Sequence, residues 1–257
     1  MKQIKKILSN KYLLTVVGII FFFLIWFLIY LVAGQRSSVF PSPIETLNQT
    51  FIYLGDPFTY ECIWGSFYRM LIGFSIGAIA AIIIGVIVGN FTKLKYVFNP
   101  TMVALKAIPT AALTFLFLVL AGLKNAPIYI VTIIVFPIVY EATVAGYSSL
   151  DEQILMASQV DGASRLKENV YIKFPLAMPT IGLGLVSSFA LSFKIEIMAE
   201  VISGSSAPGI GGAINNVYIN STNGLVPTFA YSFIAILIML IVSLLMSVIK
   251  KIFKLKA

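Results

Sequence analysis

Apolar side chains run almost unbroken along most of the 257 residues, and polar ones gather in short interruptions. Six apolar stretches reach the roughly 20 residues a helix needs to cross a hydrocarbon core of about 30 Å. They lie at about 12–33, 67–90, 97–121, 126–147, 176–203 and 227–249. Between the first two, residues 41–55 read "PSPIETLNQTFIYLG", too polar to span. Ile44, Leu47, Phe51 and Leu54 recur there at helical spacing, which predicts a short helix lying on the outer membrane surface. The expected fold class is all-α: a polytopic membrane protein of six transmembrane helices forming one domain over 1–257.

Composition sharpens this picture. Hydrophobic residues make up 59% of the chain and charged ones 11%, with mean hydropathy +0.98. Soluble domains carry about 25% charged residues, so this chain has too little polar surface to cover a globule in water. The net charge of +8 does not point to nucleic acid, because the basic residues flank the apolar spans. That placement instead sets membrane orientation. With the N-terminus inside, thirteen of the 18 Lys and Arg face inward, and only Arg36, Arg69 and Lys124 face outward. Lys106 and Lys194 fall within spans. The expectation is a multi-pass protein of the bacterial inner membrane with both termini cytoplasmic. The first span is longer than a signal-peptide core, and no A-x-A-like site follows it, so it reads as a retained helix.

Several chemistries are excluded at once. There is no histidine and a single cysteine, Cys62, so Ser-His triads, His-ligated zinc, multi-Cys metal sites and internal disulfides are unavailable. No G-x-x-x-x-G-K-[ST] string occurs. The glycine-rich "SGSSAPGIGG" at 203–212 lacks the phosphate-binding lysine and follows a span, not a strand; it reads as a tight turn or half-helix near the outer mouth. No catalysis, cofactor or metal is expected in this chain.

Two features inside the spans invite a structural reading. Gly73, Gly77, Ala81, Gly85 and Gly89 recur every fourth residue of the second span, a flat face for close helix packing within or between subunits. Lys194, Glu196 and Glu200 lie in the fifth span, and Glu141 in the fourth. A charge at such depth costs on the order of 2.5–3.5 kcal/mol and by default marks function. At about 100° per residue Glu196 and Glu200 share a face, while Lys194 points elsewhere and needs a partner from another helix, with Glu141 a candidate. These four are the candidate lining of a translocation path, weighed against structural ion pairs and, for Glu200, contact with outer water. Lys106 is expected to snorkel to the headgroups.

The longest charged interruption on the inner side is the elbow at about 149–175, which contains "MASQVDGASRLKENVYIKFPLAMP". Ser149 with Glu152 forms a capping-box pattern, Gly162 suits a helix-ending turn, and Ser164 can cap a second short helix running to Pro175. The acids Asp151, Glu152, Asp161 and Glu168 outnumber the bases Arg165, Lys167 and Lys173, which disfavours rest on an anionic leaflet and favours a protein partner.

This elbow resembles the cytoplasmic signature loop of permease subunits of bacterial ATP-binding-cassette importers: Glu-Ala-Ala, three residues, Gly, nine residues, Ile-x-Leu-Pro. Ala157, Gly162, Ile172 and Pro175 stand at the family's spacing, while Met156, Ser158 and Phe174 replace its Glu, second Ala and Leu. "VFPSP", "SFYRMLIGF", Ile108-Pro109, "DGAS" at 161–164, and "AEVISG" with "GIGGAI" are similar to the nitrate/sulfonate/taurine branch, which includes pyrimidine-precursor permeases. Glu200 matches the glutamate of the "AE" segment.

The resemblance implies a type I importer permease fold, with Ala157, Asp161, Gly162, Ala163, Ser164, Arg165, Ile172 and Pro175 in the ATPase-coupling elbow. Gly162 would permit the turn, Ala157 close approach, and Pro175 the joint to the fifth span. The implied partners are ABC ATPase subunits carrying ATP and Mg, an extracytoplasmic substrate-binding protein, and a second permease subunit, a copy of this chain or a relative. A different reading of the same charges is an ion-coupled secondary transporter relaying protons through Glu196 and Glu200.

Overall fold

A computed structural model describes residues 11–33, 40–151, 153–156, 164–205, 207–222 and 224–253. Its helices are α1 (Lys11–Val32), α2 (Pro43–Leu54), α3 (Pro57–Asn90), α4 (Lys95–Ala107), α5 (Thr110–Ser148), α6 (Arg165–Glu168), α7 (Phe174–Ser203), α8 (Ile210–Asn220) and α9 (Val226–Ile252). Among the described residues there is no strand. Among the described residues five helical stretches are long and apolar enough to cross a membrane, which bears out the all-α polytopic class with one span fewer than the six expected.

The third expected span differs from its expectation. The stretch 97–121 is not one helix but α4 followed by the start of α5. Ile108 and Pro109 between them are extended, at ψ 125° and 128°. Proline disfavours helical backbone in the residue before it and supplies no N–H, so the apolar pattern persists where the helix cannot. A second break follows at Gly122, whose φ of 76° and ψ of 168° interrupt α5 in a conformation suited to glycine.

The chain folds into two compact units: one takes the residues up to Tyr60 with Ile214–Ile234, the other Glu61–Ala213 with Ala235–Ala257. In the first, Ser42 caps α2 by accepting from the Glu45 amide at 3.1 Å. Pro43, Thr46 and Thr50 are its buried residues, whereas Ile44 and Phe51 of the expected apolar stripe point outward. That orientation suits a helix whose apolar face meets lipid. Trp26 is buried where its indole donates to the Pro41 carbonyl at 3.1 Å, and Tyr53 stacks on Tyr231.

In the second unit the buried core gathers around Ala81, Val131, Val135, Val139 and Ala199. The small-residue row of α3 is where α5 comes closest. A Cβ on Gly77 would lie 2.7 Å from the Thr132 carbonyl oxygen, and one on Gly85 2.7 Å from the Thr143 Cβ. Gly73 and Gly89 are approached as closely by Val131 and Tyr147, and Ala81 is fully buried. The Thr132 hydroxyl also donates across the helices to the Gly73 carbonyl at 3.1 Å. The row therefore makes an intrachain contact. α7 lies along α5 in the same manner, with Gly146 against Ala177 and Gly184 against Ala142.

Overpacking of this kind costs about 1–3 kcal/mol. Gly77→Leu is expected to lower the melting temperature of the detergent-solubilised protein clearly. Gly18→Ala, whose added Cβ meets nothing within 4 Å, is expected to leave it unchanged. Equal melting of the two variants would remove the row from the packing account.

Candidate functional site

Two polar assemblies sit along α3, one in its first half and one at its last residue. The first forms around Arg69, which lies on the same every-fourth-residue row as Gly65 and Gly73. Its guanidinium Nε reaches Glu196 Oε1 at 3.3 Å and Glu200 Oε1 at 3.1 Å, and Nη2 also binds Glu200. Nη2 further donates to the Pro208 carbonyl at 2.9 Å. The other Glu200 oxygen accepts from the Ser66 hydroxyl at 2.7 Å and the Gly211 amide at 2.9 Å, while Ser66 accepts from the Ile210 amide. Both glutamates are essentially inaccessible, at 0% and 1%. Four residues apart on α7, they share one face, as the helical period requires.

The glycine-rich stretch is explained here. Gly204, with φ 59°, ends α7 in a left-handed turn, donating to the Glu200 carbonyl, and α8 begins at Ile210 as a half-helix. A Cβ on Gly209 would lie 2.8 Å from the Glu200 carboxyl carbon, and one on Gly211 2.5 Å from its Cβ. The loop must be bare to pass over the carboxylate.

The second assembly holds the elbow. Ser164 caps α6, accepting from the Lys167 amide at 3.4 Å, as its sequence position predicts. Asn169 then accepts from Asn90 Nδ2 of α3 at 3.0 Å and from the Tyr147 hydroxyl of α5 at 2.9 Å. Lys173 donates to Asn90 Oδ1 at 3.3 Å and pairs with buried Glu168 at 3.1 Å. One asparagine thus ties the elbow to two long helices. Arg165 and Pro175 are exposed and Ile172 is half-buried. Ala157, Asp161, Gly162 and Ala163 lie outside the described residues.

Two local expectations for the elbow are corrected. Ser149 does not start a helix: it terminates α5, its hydroxyl donating back to the Gly146 carbonyl. Asp151 instead caps residues 153–156, accepting from the Gln153 amide at 2.8 Å. Nor does the helix stop at Pro175. Asn169–Lys173 forms a π-turn in which the Phe174 amide bonds to the Asn169 carbonyl, and α7 continues through the proline. Wider turns of this kind absorb a residue that has no N–H to give.

The remaining span charges separate. Glu141 pairs with Lys106 at 2.6 Å, each side chain about half exposed, beside a cleft of about 330 Å³ that also includes Asn99 and Tyr140. Lys106 thus has a carboxylate partner, and Glu141 is not the partner of Lys194. Lys194 is exposed in a cleft of about 440 Å³ between α7 and α9. Sequence reasoning missed Arg69 as a span residue because it stands near the end of its apolar stretch; its place on the small-residue row was the available signal. Asn90, Asn169 and Tyr147 carried no such signal.

A helical membrane protein with an anchored elbow between its long helices has the architecture of a transport permease. The family model for the binding-protein-dependent transport system inner membrane component matches residues 73–256. The chain belongs to that family and is an ABC transporter permease. Among similar proteins is the nitrate import permease protein NrtB of Synechocystis sp., 29% identical over 84% of this chain and 80% of its own length. NrtB of Leptolyngbya laminosa is 25% identical over 80% and 76%. A Bacillus subtilis protein assigned as the aliphatic sulfonates transport permease SsuC is 27% identical over 72% and 67%.

Losing two hydrogen bonds at about 0.5–1.5 kcal/mol each would free the elbow locally. Asn169→Ala is expected to raise amide exchange over residues 165–173 by about tenfold, the factor for ~1.4 kcal/mol, without changing exchange around Val131–Val139. Unchanged exchange in the elbow would show that Asn169 does not anchor it.

Proposed function

We propose that this chain is the transmembrane permease subunit of an ATP-driven importer that takes up a small oxyanion such as nitrate or an aliphatic sulfonate. A second permease subunit completes the path, an extracytoplasmic binding protein delivers the anion, and separate ATPase subunits close on ATP beneath the elbow. The inward bias of Lys and Arg puts the elbow and both termini on the cytoplasmic side.

The observation that carries this reading is the elbow itself. It exposes Ile154, Met156, Leu166 and Tyr171, the last two at 78% and 75%, a greasy surface suited to a protein groove. Behind that surface Asn169 is bonded to α3 and α5. A push on the elbow would reach both helices as a rigid-body displacement, a hinge or shear change of the kind that switches transporters. The anion class follows from the nitrate and sulfonate permeases among the similar proteins. A proton relay through Glu196 and Glu200 has less to recommend it, because both carboxylates are shut away from water and held by Arg69.

Co-expression with the cognate ATPase tests the docking. The wild-type chain is expected to retain the ATPase through purification, and Gly162→Pro, which would stiffen the expected turn, to lose it while remaining monodisperse. Uptake in proteoliposomes that persists without ATP but collapses with the proton gradient would refute the importer reading.

A further inference from the structure

Lys194 stands nine residues before Ser203, the last residue of α7. At 1.5 Å per residue it lies about 14 Å from that end of the helix, and twenty residues from Phe174 at the other. Opposite it, Ile236, Met239, Leu240 and Ser243 present one face from the middle of α9. A lysine near an interface escapes lipid by reaching out to the headgroups; from here the end of α7 lies well beyond the reach of its four-carbon stem. An ammonium facing hydrocarbon in the middle of a span costs on the order of 2.5–3.5 kcal/mol, which favours a polar neighbour over lipid.

Its counter-charge is not among the described residues of this chain. Among the described residues no carboxylate comes within ion-pair distance of Lys194. The carboxylates of α5 and α7 are already engaged: Glu196 and Glu200 are sealed against Arg69, and Glu141 holds Lys106. A second copy of the chain would bring α5 and α7 acids engaged in the same way and another Lys194. What can neutralise the ammonium is a mobile anion.

We infer that Lys194 is a contact for the transported anion within the span, receiving the oxyanion head of nitrate or a sulfonate, with the Ser243 hydroxyl in the same cleft as a second donor. The inference rests on the importer reading above and adds the residue that selects charge. A single cation between apolar walls suits passage, since a site on a path must attract its ion and still release it.

The test uses the full complex of permease subunits, ATPase and binding protein in proteoliposomes, with isotope-labelled nitrate and ethanesulfonate as probes. K194Q is expected to reduce ATP-dependent uptake by about tenfold, a loss of ~1.4 kcal/mol, while binding-protein-stimulated ATP hydrolysis is retained and K194R transports. K194C, on a background whose one native thiol, Cys62, is fully buried, is expected to react with water-soluble methanethiosulfonates. The aminoethyl adduct should restore uptake and the sulfonatoethyl adduct should not. Wild-type uptake of either probe with undiminished uptake by K194Q would overturn the role of Lys194 alone, as would a K194C thiol inert to both reagents. A K194Q complex that fails to assemble while K194R assembles would make Lys194 a subunit contact and overturn the inference too. Failure of the wild type to take up either anion would overturn the oxyanion reading itself.

Discussion

Glu200 is a carboxylate buried in a membrane protein, and the surrounding segments are arranged to make that burial tolerable. Arg69, Ser66 and the Gly211 amide converge on it from α3 and from the start of α8. In hydrocarbon no water can replace a missing donor, so each group must arrive in place for any to be stable. This constraint dictates the bare glycines at 209 and 211, the left-handed turn at Gly204 and the register of α3 against α7. Farther along α3 the row to which Arg69 belongs turns to glycine and alanine, and α5 packs into it. A single helix face thus sets the charge cluster at one end and the depth of helix contact along the rest.

The other end of α3 serves a different purpose. Asn90 and Tyr147 meet at Asn169, so the elbow rests on the two helices that the small-residue row holds together. A rigid pair of helices with a polar joint at one tip transmits displacement without bending. The break at Ile108-Pro109 precedes α5, and the kink at Gly122 lies in α5 ahead of the stretch that packs on the small-residue row. That gives the unit a stiff half and a jointed half.

Much of this was legible in the sequence because hydrophobic run length and helical period report directly on membrane helices. The spans, the polar helix at Pro43–Leu54, the Ser164 cap, the packing role of Gly73 through Gly89 and the shared face of Glu196 and Glu200 all follow from those two signals. The third span was misjudged because Ile108-Pro109 breaks the backbone without breaking the apolar run. The polar groups that matter most in the two assemblies, Arg69 and Asn169, were passed over because their partners are 131 and 79 positions away for the pairs with Glu200 and Asn90. Spacing along a chain does not disclose pairing across it. The elbow, by contrast, stood out because its charge contradicted the greasy segments on either side.

The central claim, that Arg69 is held in place by the two acids it bonds and holds them in turn, is most directly tested by a mutant cycle on thermal unfolding. Arg69→Met alone should cost about 3–5 kcal/mol, because it leaves buried carboxylates without their cation. Adding Glu196→Gln and Glu200→Gln should recover most of that loss. A triple variant whose destabilisation equals the sum of its separate substitutions would contradict the claim.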